Sequence, residues 1–245
     1  MPSAAIRATP GHISARRAFT WWISGLRLWA RAPIRLAIVC WLPIFAEAII
    51  QLIPLAGTPL SKVAVALLGN GLWLLFDRIS STGQFAWRDL LWSFERKNRG
   101  RALLLAFIMA SIFVLQVLLV TMIYGLPALD AVVFGHLREH PELYNQVFVL
   151  VLILPGLLPS TLLMFATPLV VLDAMKPIEA ARESVLVLLA SPGALAAVLA
   201  VTVALIAIAL LWGYGLLFLP FAPWFGLMAY CAYRDVFGAP ATPHP

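Results

Sequence analysis

The side chains of this chain with the means to do chemistry are few, and several sit inside long apolar runs. Glu47 is the one acid well inside such a run, and Gln51 follows one helical turn later on the same face. Asn70 and Gln116 lie in two further apolar segments. A polar group in hydrocarbon is costly and by default marks a substrate or ion pathway. A proton- or cation-coupled transporter needs a group such as Glu47, either protonated or paired with Asn70 or Gln116. The competing reading is that water reaches Glu47 from the membrane surface while the amides bond between helices.

A second set is cationic. Arg16, Arg17, Arg27 and Arg31 accompany Thr20 and Ser24 along the first amphipathic stretch, with Phe19, Trp22, Ile23 and Leu26 on its other face. Arg88 and Arg96 flank a second stretch whose stripe is Trp87, Leu90, Leu91 and Phe94. Helices of this type lie in the headgroup plane with cations at phosphates, which makes these six arginines candidates for anionic lipid headgroups. A third stretch, with Ile178, Ala181, Val185 and Leu188 opposite Lys176, Glu179 and Glu183, has no cationic excess and is not expected to contribute. Packing on the cytoplasmic ends of the bundle, with nothing bound, is the preferred reading for all three, and headgroup binding the sharper one.

His136 and His140, in the segment GHLREHPEL, have the i, i+4 spacing of a two-histidine metal face. Pro141 ends any helix there at once, so a solvated loop is expected and no metal site. Cys40 and Cys231 lie in apolar runs and read as small hydrophobes. No Ser/His/Asp signature, phosphate-binding glycine loop or paired CxxC is present, so neither catalysis nor a cofactor is expected.

The elements that must position these groups follow from composition. Of 245 residues 62% are hydrophobic and 11% charged, with a mean hydropathy of +0.95. A soluble domain carries about 25% charged residues, and no single soluble core buries this much apolar side chain. The reading is an all-α integral membrane bundle of six transmembrane helices, with three amphipathic interfacial helices on the cytoplasmic face. The expected spans are about 34–54, 60–76, 102–124, 146–172, 193–213 and 216–233, with a tight turn at Gly213-Tyr214-Gly215 before the last. They divide the chain into a basic N-terminal segment (1–33), the membrane domain (34–234) and a short tail (235–245).

Charge placement agrees with an even number of spans. Fifteen of the 17 Lys and Arg residues fall on one side, and only Lys62 and Arg138 on the other. The positive-inside rule then puts both termini in the cytoplasm. It also explains the net charge of +6 without nucleic acid. Gly193, Ala197, Ala200, Ala204 and Ala207 form a stripe of small residues on the fifth span, suited to close helix packing within the chain or in a homo-oligomer.

The stretch 165–191, FATPLVVLDAMKPIEAARESVLVLLAS, combines Pro168 near the end of the fourth span with Pro177-Ile178-Glu179-Ala180-Ala181 and Ser184. It resembles a group of uncharacterised bacterial inner-membrane proteins with five to seven spans. It is also similar to the membrane domain attached to some glycerophosphodiester phosphodiesterases. The resemblance implies a multi-pass protein of the bacterial inner membrane. No phosphodiesterase domain is present, so that activity does not carry over. The expected function is non-catalytic, through protein partners or lipids, as in assembly or envelope maintenance. A secondary transporter using Glu47 and the proline-kinked spans is the alternative, and a lipid-active enzyme a weaker one.

Overall fold

The computed structural model describes residues 12–143, 145–211 and 216–238. It is all-helical, with no strand among the described residues. In chain order the α-helices are α1 (Ala15–Trp29), α2 (Pro33–Ile50), α3 (Gly57–Thr82), α4 (Arg99–Tyr124), α5 (Leu126–Val133), α6 (Gln146–Leu162), α7 (Ala166–Val171), α8 (Pro177–Leu189), α9 (Pro192–Leu211) and α10 (Phe218–Phe237). A 3-10 segment, Trp87–Phe94, joins α3 to α4, and two shorter ones follow α5. The turn expected at 213–215 and the ends of the chain, 1–11 and 239–245, lie outside the described residues.

Four helices among the described residues are long and apolar enough to cross a membrane: α2, α3, α4 and α9. At 26 residues each, α3 and α4 run about 39 Å, more than the roughly 30 Å hydrocarbon layer. Their outward side chains are apolar, with Phe107, Val114, Leu118 and Met122 all more than half exposed on α4. Water would penalise a continuous surface of that kind, and lipid would not.

The other two expected spans take different forms. The stretch 146–172 is not one helix: it breaks after Leu162 and resumes at Ala166. The cause is Pro168, which cannot donate to the carbonyl four residues back and whose ring collides with it. Ser184 of α8 bridges the break, donating to the Leu162 carbonyl (2.6 Å) and accepting from the Phe165 N–H (3.0 Å). The nearby Ser160 does not serve the break, since it donates within its own helix to the Leu157 carbonyl. The final helix, α10, has 20 residues with Pro223 inside and Arg234 in its last turn, which lowers its apolar character.

The three amphipathic stretches all pack on the bundle, and each buries only part of its apolar stripe. On α1 the buried residues are Ala18, Trp21, Trp22, Gly25 and Leu28, while Phe19, Ile23 and Leu26 are exposed. Trp22 meets Trp224 edge to face at 5.3 Å, and Trp224 Nε1 donates to the Trp22 carbonyl at 2.9 Å. At Gly25 the backbones of α1 and α10 approach so closely that a Cβ would lie 2.8 Å from the Met228 nitrogen. The second stretch is a 3-10 helix rather than an α-helix. It buries Asp89, Leu90, Trp92 and Ser93 and leaves Trp87, Leu91 and Phe94 outside. On α8, Pro177, Ala180, Ser184 and Val187 face inward with Leu188, and Ile178 is exposed. The small-residue stripe of α9 is not its buried face: Ala194, Val198, Thr202 and Ile206 are buried, and Ala200 and Ala204 are exposed.

Candidate functional site

At the basic end of the bundle the last turns of α1, α3 and α10 converge around an open cavity of about 450 Å³. Arg27 and Arg31 stand one helical turn apart on the α1 side, and Arg234 lies in the last turn of α10. Cations there offset the partial negative charge of helix C-termini, which is the local reason for these placements. Thr20, Ser24, Ser80 and Tyr230 add hydroxyls to the lining.

Two carboxylates hold this end together. Asp235 accepts from Arg17 Nε (2.7 Å) and Nη2 (3.0 Å) and from Trp21 Nε1 (2.8 Å). That hydrogen bonding raises the Arg17 pKa further above its ordinary value. Asp77 accepts from the Tyr230 hydroxyl at 2.9 Å and pairs with Arg234 at 3.5 Å. Arg31 donates to the Ser80 carbonyl at 3.3 Å. Arg27 makes no ion pair among the described residues. Four arginines against two aspartates leave two positive charges in excess, next to several hydroxyls. That combination suits a phosphate or other oxyanion.

Of the six arginines expected at headgroups, Arg27 and Arg31 line this cavity, Arg17 is tied to Asp235 beside it, and Arg16, Arg88 and Arg96 are exposed without lining it. Sequence reasoning missed Arg234, Tyr230 and Ser80. Arg234 carried a signal, as a lone cation at the end of the final apolar segment, but nothing local ties it to Arg27, some two hundred residues away.

The polar groups expected to serve transport do not converge on one point. Glu47 pairs with Lys62 of α3, not with Asn70 or Gln116, and also accepts from Gln51 Nε2 at 3.1 Å. Lys62 lies over the Phe113 ring, 5.2 Å from its centre. The α2–α3 hairpin explains the partner: residues equally far from its turn meet, and Glu47 and Lys62 are equally far from the 54–55 midpoint. Asn70 sits eight residues further along α3, about 12 Å of helix rise. It donates to Ser93 Oγ at 3.1 Å, helping to dock the 3-10 segment. Gln116 donates to the Ile153 carbonyl at 3.3 Å, linking α4 to α6. Two cavities, of about 670 and 420 Å³, share Lys62 and Phe113 in their linings; Gln51 lines the first, and Asn70 and Gln116 the second.

Fold and site together define a class: an all-helical protein with helices fit to cross a membrane and a basic cavity at one end. A comparison with protein-family models, curated proteins and solved structures finds no match to this chain.

Proposed function

We propose that this chain is a six-span integral protein of a bacterial inner membrane, with both termini cytoplasmic. It acts without catalysis, holding an anionic phospholipid or a protein partner at its basic end, in a role of the assembly or envelope-maintenance type. The observation that carries the reading is the cavity framed by Arg27, Arg31 and Arg234, on the side where the basic residues gather. Four long apolar helices support the membrane setting, with α6 plus α7 and α10 as the remaining two crossings. Native mass spectrometry of the protein gently extracted from its own membrane tests the role. A retained anionic phospholipid or a stoichiometric second protein is expected; a bare chain, or one keeping only zwitterionic lipid, overturns it.

The orientation has its own test. With Cys40 and Cys231 replaced by alanine, a membrane-impermeant maleimide applied to intact cells should label Glu142→Cys but not Lys97→Cys. Both native side chains are well exposed, at 61% and 79%. Labelling of Lys97→Cys in sealed cells removes the assignment.

A transporter is the second reading, favoured by the Glu47–Lys62 pair where the two cavities meet. Glu47→Gln would leave Lys62 without its counter-charge, so solute-driven proton uptake into proteoliposomes should fall at least about tenfold, as for loss of an intramembrane charge partner. If Glu47→Gln and Glu47→Leu both leave uptake and its pH dependence unchanged, the role is gone.

A further inference from the structure

At the end of the bundle away from the basic cavity, the chain turns back on itself after α5. Gly135, at φ +79°, reverses the backbone immediately beyond the helix, a conformation that glycine adopts without steric cost. This returns the following segment over Asp130 of α5. One oxygen of Asp130 lies 3.1 Å from His136 Nδ1, and the other lies 3.0 Å from His140 Nε2. A ligand atom of Glu139 completes a group with Asp130 and His136 whose atoms all lie within 4.8 Å of one another. The histidines do not share a helix face, since they flank the short 3-10 turn Leu137–Glu139. A carboxylate from a separate helix brings them together.

We propose that Asp130, His136 and Glu139 form a binding site for a divalent d-block cation of the zinc type, with His140 as the neighbouring imidazole. The donor chemistry is mixed imidazole and carboxylate, which suits zinc and its neighbours, whereas magnesium and calcium take oxygen ligands almost alone. A tetrahedral ion with bonds of 2.0–2.1 Å holds its ligand atoms about 3.3 Å apart. The Asp130–His136 pair is already near that spacing. Glu139 is exposed and can close the rest by changing rotamer. The site is open to solvent, so an ion can reach it without unfolding the loop. An ion bound there would cross-link α5 to the segment leading into α6. This assignment is independent of the lipid reading at the opposite end.

The test uses the full-length, tag-free protein in detergent or nanodiscs, titrated calorimetrically with Zn²⁺ alone and then with Mg²⁺ alone. One saturable Zn²⁺ site per chain is expected, and none for Mg²⁺. Loss of a ligand should weaken Zn²⁺ at least about tenfold in His136→Ala and Asp130→Asn, the lower end of what second-shell changes alone cost. Glu139→Gln keeps the test meaningful if those variants fold poorly, because its side chain is exposed and its loss of charge removes a ligand with little change of shape. Co²⁺ should give a four-coordinate absorption spectrum that Glu139→Gln alters. Absence of saturable Zn²⁺ binding by the native chain, or binding unchanged in both Glu139→Gln and His136→Ala, overturns the site.

Discussion

Replacing Arg27, Arg31 and Arg234 together by glutamine should weaken the protein's hold on anionic phospholipid by about 100-fold, since each cation near an anionic headgroup contributes about 1 kcal/mol. The measurement is lipid titration of the purified protein by native mass spectrometry, comparing phosphatidylglycerol with phosphatidylcholine. The loss should be confined to the anionic lipid and should shrink as ionic strength rises, because exposed charges are screened. Arg234 also pairs with Asp77, so the triple variant perturbs the fold as well as the cavity. Arg27→Gln is the cleaner single change, as Arg27 has no ion pair to break among the described residues; a loss of about fivefold is expected from the same per-residue contribution. Replacing Arg16, Arg88 and Arg96 together by glutamine is the matched control, since those three residues are basic and exposed but do not line the cavity. Equal losses from the control and the cavity variants would reduce the effect to overall charge and remove the cavity from the account. A parallel titration with inorganic phosphate separates recognition of the headgroup from recognition of a free anion.

The largest effect on stability is expected at Gly71. A Cβ there would lie 2.4 Å from Leu90 Cα and 2.6 Å from the Asp89 carbonyl oxygen, and backbone cannot step aside as a side-chain tip can. Gly71→Ala should therefore cost about 3 kcal/mol, at the upper end of overpacking penalties. It would push the 3-10 segment Trp87–Phe94 off α3. With that segment go the bidentate Arg78–Asp89 pair, at 2.6 and 3.0 Å, and the Asn70–Ser93 hydrogen bond. Gly69 is the internal control, two residues away on the same helix, where an added Cβ meets nothing within 4 Å. There Gly→Ala should stabilise by up to about 1 kcal/mol through helix propensity. Thermal unfolding in detergent checks both. Opposite signs at two glycines of one GNG triplet are expected, and a neutral Gly71→Ala would contradict the packing of the 3-10 segment on α3.

That triplet also marks where sequence stops being informative. From the chain alone, Gly69-Asn70-Gly71 reads as a packing or turn position, and nothing local separates the two glycines. The long apolar stretches were legible, because membrane-length hydropathy is a property of about 20 consecutive residues. The break between α6 and α7 was not legible: Pro155 and Pro159 sit inside α6 without interrupting it, so a proline in an apolar run does not by itself say where a helix ends. The Glu47–Lys62 pair was half legible: opposite charges at equal distances from a hairpin turn are visible without coordinates, but their relevance depends on α2 and α3 packing antiparallel.

What the sequence by itself determined is thus the helical class and the presence of membrane-length apolar helices. Only the tertiary structure decided which face of each amphipathic segment is buried, that 87–94 is a 3-10 helix, that Ser184 bridges a broken helix from elsewhere in the chain, and that Asp130 gathers two histidines. The physical reason is common to these cases. In a membrane protein an apolar side chain is satisfied equally by lipid and by neighbouring helices, so an apolar stripe such as Phe19, Ile23 and Leu26 does not say which of the two it faces. The discriminating contacts are the few polar ones and the sites of closest backbone approach, at Gly25 and Gly71, and these join residues far apart in the chain.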